Sequence, residues 1–349
     1  MSKQITNQIV MVRPVSFYFD TETAANDFFQ KNLGEKRDVV QAKALIEFDA
    51  MVDLLRSKGI TVHVLQDSNQ VMDTPDSIFP NNWFVSMEGG RLMLCPMWAP
   101  NRRHERLKFL GQLVDLIGHD KLKVSNYGPA HEAQSKFLEG TGAMILDRIN
   151  MKAYACLSPR CDEDVFKKFC KEFGFKPVAF HGFQTYEGKR AAIYHTNVMM
   201  ALGEAFAVVC LSAIDDLTER AALVKELQGD GKEIIDVTED QINNFAGNEI
   251  ELCNADGKRI SKTVNGTTYN YAYLGDTLTD LSWGKWLLLC TVGRLPSVLT
   301  STIGGSALGV KDYQFAILVF AVTLAVSGVG LLIYRAICRR HERKQQEHE

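Results

Sequence analysis

The chain has 349 residues, with 42 acidic and 39 basic side chains, a formal net charge of −3, 46% hydrophobic and 23% charged residues. That length suggests two domains at roughly 100–200 residues each, and the composition is globular rather than disordered. The near-neutral balance argues against a generic nucleic-acid binder, whose domain would be clearly basic, so no nucleic-acid partner is expected.

Residues 1–7 are mostly polar and no apolar stretch of signal-peptide length follows them, so no secretory signal is expected. Helices and strands then alternate up to residue 252. Amphipathic spacing predicts a helix over 41–57, with Leu45, Phe48, Val52 and Leu55 on one face. A second is predicted over 101–117, with Leu107, Leu110, Val114 and Ile117, and two more over 162–173 and 215–228. Each helix leads into a short apolar strand, at 60–65, 121–124, 177–180 and 233–237. Six further strands are expected at 83–87, 91–95, 143–146, 153–157, 193–201 and 206–211. The repeat of about 55–60 residues reads either as an ordinary α/β domain or as a pseudosymmetric ring of strand–helix–strand modules around a central site. The eight cysteines form no CxxC pair and no regular framework, which points to reduced intracellular thiols.

Composition shifts near the C-terminus. Residues 314–334 are 21 positions without a charge, followed at once by Arg335, Arg339, Arg340, Arg343 and Lys344. At about 1.5 Å per residue they would span about 30 Å. The alternative, a buried core helix, seldom needs such a run. A transmembrane helix over 314–334 with a basic, cytoplasmic tail is therefore expected, with the membrane as a partner.

Polar groups interrupt the apolar pattern at three places: Ser77-Ile78-Phe79-Pro80-Asn81-Asn82-Trp83-Phe84, Phe137-Leu138-Glu139-Gly140-Thr141-Gly142-Ala143, and Ile193-Tyr194-His195-Thr196-Asn197-Val198-Met199-Met200. A buried Glu or His is costly unless paired, so these are candidate sites. Taken singly, His195 reads as a structural histidine, Glu139 as a turn residue and the Asn pair as a turn cap. Asp73 and Asp76 read as turn residues or as substrate contacts.

In this order the three stretches resemble the guanidino-group-modifying superfamily, which includes arginine deiminase, dimethylarginine hydrolase, glycine amidinotransferase and the citrulline-utilisation hydrolases. The amidinotransferase-like, citrulline-utilisation branch is the nearest in look, through FPNNW, EGTG and YHTNVMM. Met11-Val12-Arg13-Pro14 and Phe245-Ala246-Gly247-Asn248 fit as well, so the resemblance covers about residues 7–252. It implies a five-module α/β propeller (the pentein fold) and a hydrolase of C–N bonds in a guanidino or ureido compound such as arginine or citrulline. It also implies a cysteine covalent intermediate. His195 would then be the general acid/base and Glu139 the residue that orients it. Asn82 and Asn197 occupy positions where deiminases carry aspartates. Asparagine there lowers the negative charge and favours a neutral ureido group. No zinc motif, P-loop or dinucleotide fingerprint appears, and no metal or cofactor is expected.

The nucleophile of that superfamily follows a glycine-rich GGGSxRC-type run, and no such run is present. Cys253 and Cys290 are the only cysteines between Leu252 and the apolar stretch, and neither has those flanks. The last module is therefore expected to be missing, leaving an incomplete propeller over 1–252 and an inactive enzyme. Residues 253–284, with Asp256-Gly257 and Asn265-Gly266 between β-formers, resemble one unit of an Rhs-type repeat and predict a β-hairpin. Residues 285–349 resemble the end of a SNARE-associated (VTT) membrane protein, through Gly293-Arg294-Leu295-Pro296 and Ile303-Gly304-Gly305-Ser306. That implies a re-entrant stretch before the span. The N-terminal part would be cytoplasmic by resemblance, and the chain as a whole a single-span membrane protein. The other readings are a membrane-tethered, non-catalytic small-molecule binder and a chimera.

Overall fold

The computed structural model describes residues 4–68, 72–186 and 188–253, and two short strands at 261–264 and 267–270. The chain divides into two units, Met1–Tyr271 and Ala272–Glu349, and the described residues lie in the first. The expected transmembrane helix over 314–334, its basic tail and the re-entrant stretch lie outside the described residues. Among the described residues no helix is long and apolar enough to cross a membrane.

The body is α/β and repeats one design. In the first repeat, Gln8–Arg13 (β1) pairs in parallel with Thr61–Gln66 (β2) through the helix Arg37–Ser57 (α1). In the second, Phe84–Met87 (β3) and Arg91–Leu94 (β4) are antiparallel. The helix Glu105–Ile117 (α2) then carries the chain to Lys123–Asn126 (β5), parallel to β4. After two short helices, Gly128–Glu132 (α3) and Gly140–Ala143 (α4), the third repeat follows the same plan. It consists of Met144–Asp147 (β6), Lys152–Cys156 (β7), Glu163–Phe173 (α5) and Lys176–Phe180 (β8). A hairpin of Phe183–Tyr186 (β9) and Lys189–Ala192 (β10) precedes the fourth. That repeat consists of Met200–Leu202 (β11), Phe206–Val209 (β12), Leu217–Gly229 (α6) and Glu233–Asp236 (β13). A short helix, Glu239–Ile242 (α7), opens with a Thr238 capping box. Beyond it, Ser261–Val264 (β14) and Thr267–Asn270 (β15) form an antiparallel hairpin on either side of Asn265-Gly266, where a hairpin is expected.

The apolar residues of neighbouring repeats merge into shared cores. Val12 and Leu65 of the first pack with Trp83, Leu92 and Phe109 of the second. Val85 and Met93 of the second pack with Ala153, Phe166 and Phe169 of the third. Tyr154 and Phe180 of the third pack with Val208, Leu223 and Leu227 of the fourth. The chain then returns to its start: Leu252 bridges Thr6 in parallel, and the Cys253 N–H donates to Thr6 O at 3.1 Å.

Two expectations need correction. Residues 193–201 are not one strand: Thr196–Val198 is a helical turn and only Met200–Leu202 pairs. Buried His195 and Thr196 take side-chain partners there, and those bonds hold the backbone in a turn. The β9–β10 hairpin was not expected either. Its residues Lys189 and Arg190 are exposed and break the apolar signature of a strand.

Candidate active site

Glu139 and His195 occupy equivalent places in the repeat. Each is the residue before a short helical turn, Gly140–Ala143 and Thr196–Val198, and each stands five positions before the first strand of its sheet, β6 and β11. The second repeat has the same turn, Pro80–Asn82, where the functional candidate is the last residue, Asn82. Three turns about 60 residues apart in sequence thus offer their side chains to one place.

Close packing of those turns accounts for EGTG. Gly140 has φ +50°, and a β-carbon on it would come within 2.2 Å of Asn81 O. A β-carbon on Gly142 would lie 2.2 Å from Asn82 Nδ2 and 3.0 Å from His195 Nδ1 and Cε1. Glycine 142 is therefore where Asn82 and His195 meet. Thr196 ties the last two turns together. Its buried hydroxyl donates to Ala143 O and accepts the Cys156 N–H at 2.8 Å.

His195 Nε2 lies 2.8 Å from Glu139 Oε2, and both side chains are buried. The other Glu139 oxygen accepts the Trp98 N–H at 2.8 Å, and Arg160 Nη1 stands 3.5 Å from Oε2. Burial alone would raise the Glu139 carboxyl. Arg160, the His195 hydrogen bond and Arg102 outweigh it and hold the group at about 2. Burial lowers His195 more than Glu139 raises it. The ground state is a carboxylate beside a neutral imidazole. An ionised carboxylate only accepts, so the neutral ring carries its proton on Nε2. Nδ1 then faces Gly142 with a free lone pair, as a base requires.

Arg160 is itself held, by Thr23 O at 2.8 Å and by Asn26 Oδ1, and its guanidinium lies 4.8 Å from the Tyr194 ring centre and 5.5 Å from that of Trp98. Asn82 is held by Arg102, whose Nη1 donates to Asn82 Oδ1 at 2.8 Å. Arg102 grips Glu105 through Nε at 2.7 Å and Nη2 at 3.1 Å and also donates to Phe79 O at 3.0 Å.

Of the four expected site residues, the structure brings Asn82, Glu139 and His195 together. Asn197 sits half-buried on the turn after His195, and its side chain makes no hydrogen bond among the described residues. Asp76 lies in a turn, as expected, with its backbone O accepting the Phe79 N–H at 3.0 Å. It is buried, accepting from Thr23 Oγ1 at 2.7 Å and Gln30 Nε2 at 3.1 Å, whereas Asp73 accepts from the Tyr18 hydroxyl. Arg102, Arg160, Trp98 and Thr196 escaped the sequence reading. Only Thr196, inside the His195 stretch, carried a signal.

The six described cysteines are all buried. Burial pushes the Cys156 and Cys170 thiols up to about 12 and also raises those of Cys95, Cys161 and Cys210. Cys290 and Cys338 lie outside the described residues. Among the described residues no cluster of His, Cys, Asp or Glu is arranged to hold a metal ion.

A family profile described as N,N-dimethylarginine dimethylhydrolase, eukaryotic, matches residues 13–273. No curated protein matches the chain in sequence. Among solved structures, ArgZ, an arginine dihydrolase from the ornithine–ammonia cycle in cyanobacteria, aligns with TM-score 0.55 and 17% identity over 70% of this chain and 33% of its own. The product-bound N-terminal domain of ArgZ aligns with TM-score 0.55 and 17% identity over 74% of this chain and 83% of that domain. AgrE, in its complex with ornithine and NAD+, aligns with TM-score 0.53 and 17% identity over 70% of this chain and 32% of its own. This chain thus spans about a third of the two longer proteins. At these identities the likeness shows the fold, an α/β arrangement of pentein type.

Proposed function

This chain belongs to the N,N-dimethylarginine dimethylhydrolase family, and from that membership we propose that its described body is a binding site for a guanidino or ureido small molecule of the arginine or citrulline kind. The family is one of guanidino hydrolases. One observation carries the reading. A buried Glu139–His195 pair, 2.8 Å apart, leaves His195 Nδ1 and Asn82 Nδ2 facing one another's space above Gly142.

The chemistry of such a site runs through a thiolate. The thiol gives its proton to a histidine and, as thiolate, attacks the planar central carbon, whose electrons collapse back to expel an amine, and the departing nitrogen takes that proton from the histidine. Water, deprotonated by the same histidine, then releases the thiolate. In our reading His195 is the acid/base, Glu139 positions it and stabilises its charged form, and Asn82 and Asn197 contact the substrate. The isolated N-terminal domain of ArgZ has been captured, as a variant, covalently bound to a reaction intermediate, which favours the covalent route in that protein.

We infer that the thiolate is lacking here and that the chain binds without turnover. The raised thiols of Cys95, Cys156, Cys161, Cys170 and Cys210 support this, as does the absence from the sequence of a glycine-rich run leading to a cysteine. Among the described residues the first repeat has two strands where the others have three, which favours an incomplete five-module propeller. The uncharged stretch over 314–334 and its basic tail favour a membrane-tethered protein, and the Rhs-like and VTT-like segments favour a chimeric origin.

The test uses the full chain in detergent. Calorimetry is expected to show binding of citrulline or arginine that is lost in His195→Ala, with no release of ammonia from either and no dimethylamine from dimethylarginine. Turnover abolished by His195→Ala would overturn the inactive reading. Failure to bind any of the three would overturn the site.

A further inference from the structure

We propose that Arg102 sets the ligand preference of this site by fixing which end of the Asn82 carboxamide faces the ligand, and that the end presented, the N–H donor, selects a ureido over a guanidinium group. The inference rests on the site reading above and deepens it.

An asparagine amide can point either its oxygen or its nitrogen into a pocket, and the two ends recognise opposite partners. Here the choice is made by a neighbour. A guanidinium has five donors and no acceptor, so the Asn82 atom 2.8 Å from Arg102 Nη1 has to be the oxygen. Arg102 has no freedom to release it. Glu105 takes two of its donors in a fork, and Phe79 O and Asp76 O take Nη2 at 3.0 and 3.2 Å. The side chain is 3% exposed. Asn82 Nδ2 is therefore turned the other way, onto Gly142, where a β-carbon would stand 2.2 Å from it.

The same point is 3.0 Å from His195 Nδ1. That nitrogen is an acceptor while the ring is neutral. One donor and one acceptor thus flank Gly142, 2.2 and 3.0 Å from that point and so no farther apart than those two distances together. A ureido group, with a carbonyl oxygen beside an N–H, answers both. A guanidinium presents N–H groups on every edge, so one of them would meet the Asn82 N–H, donor against donor. A site built to satisfy a particular hydrogen-bonding atom rejects the analogue that lacks it far more strongly than one shaped only by size. Lowered negative charge at Asn82 would weaken arginine as well, but charge alone gives Arg102 no part in the choice.

The experiment is calorimetry of the full chain with citrulline and arginine, alongside spectra of protein labelled with 15N-asparagine. The wild type is expected to bind citrulline at least tenfold tighter, with the Asn82 side-chain NH2 signals moving on citrulline and not on arginine. In Arg102→Gln, whose neutral amide no longer fixes the neighbour, the ratio is expected to fall toward one. A merely structural Arg102 would weaken both ligands equally and leave the ratio alone. Asn82→Asp, which presents an oxygen whatever Arg102 does, is expected to invert the preference.

Wild type that binds arginine as tightly as citrulline, or a folded Arg102→Gln that keeps the ratio, would overturn the inference and leave the proposed site standing. Should Arg102→Gln not fold, an unchanged preference in Asn82→Asp overturns it. If neither ligand binds the wild type, the site reading fails and takes this one with it.

Discussion

The first and third repeats use the same helix-to-strand crossover with opposite degrees of completion. In the third, α5 buries Val165, Phe166, Phe169, Cys170 and Phe173 against a three-stranded sheet and is capped by Asp162, which accepts from the N–H groups of Asp164 and Val165. In the first, α1 is almost twice as long but buries only Phe48 and Val52, has no side-chain cap at Lys36, and lies on two strands. Ile46 is 71% exposed and Leu54 50%, so apolar residues face outward on the helix that has the smaller sheet. The contrast teaches that the repeat is stabilised by what lies beside it rather than by helix length. Among the described residues α5 has neighbours on its whole apolar face, and α1 does not.

The sharpest way to break that comparison is to cut equivalent side chains from each helix. Phe169→Ala, fully buried, is expected to cost about 3–5 kcal/mol. Leu54→Ala is expected to stay within about 0.5 kcal/mol, because little is buried there. Urea unfolding of the two variants reads both, and equal losses would show that α1 is packed as tightly as α5.

Acid should find the third and fourth repeats next, through the pair they share. The Glu139 carboxyl is held at about 2 when folded, against 4.5 for an ordinary glutamate. Its contribution is complete above pH 4.5 and is lost as pH falls toward 2. His195 works in the same direction. Its pKa is lowered below 6.5 by burial, so the unfolded chain takes the proton first as pH drops through 6.5. Glu139 by itself is expected to remove about 2 kcal/mol between neutral pH and pH 3, and His195 adds to that loss. Glu139→Gln should lower stability at pH 7 and flatten the acid slope, and a slope as steep as the wild type's would place the acid sensitivity elsewhere.

The smallest effect separates the helix starts. Asp162→Ala should cost about 1 kcal/mol. Lys36→Ala, at a start with no side-chain bond, should cost under about 0.5 kcal/mol. Hydrogen exchange sharpens this result, with amides of the first turn of α1 exchanging faster than those of α5.

Much of the scaffold was legible because burial writes a period into the chain. The four long helices and nine of the ten expected strands lie where alternating or 3.6-residue spacing put them, to within a few residues at their ends. The helix at 37–57 begins four residues early, since Val39 and Val40 carry no polar signal against it. The exception, 193–201, failed for a physical reason: an apolar run looks like a strand whether its polar members are buried by a ladder or by a turn. The site was legible where polar residues interrupted such runs, as at Glu139 and His195. Arg102 and Arg160 were not, because an arginine among other charged or polar residues looks solvated until its fold-distant partners Asn82 and Glu139 are known. Asn197 shows the opposite limit. Its place beside His195 in the chain does not by itself give it a partner in space.

Because Glu139, His195 and Asn82 arrive on the same kind of turn from separate repeats, each repeat acts as an address that delivers one functional group. An address can be edited without disturbing the others. On the proposed reading, asparagine at one of them alters what is recognised, while the dyad at the other two keeps its hydrogen bond. The same independence gives loss a distinctive form. A lineage that drops one address forfeits one function and retains the rest in working geometry, so binding can outlive catalysis and become the trait on which selection acts.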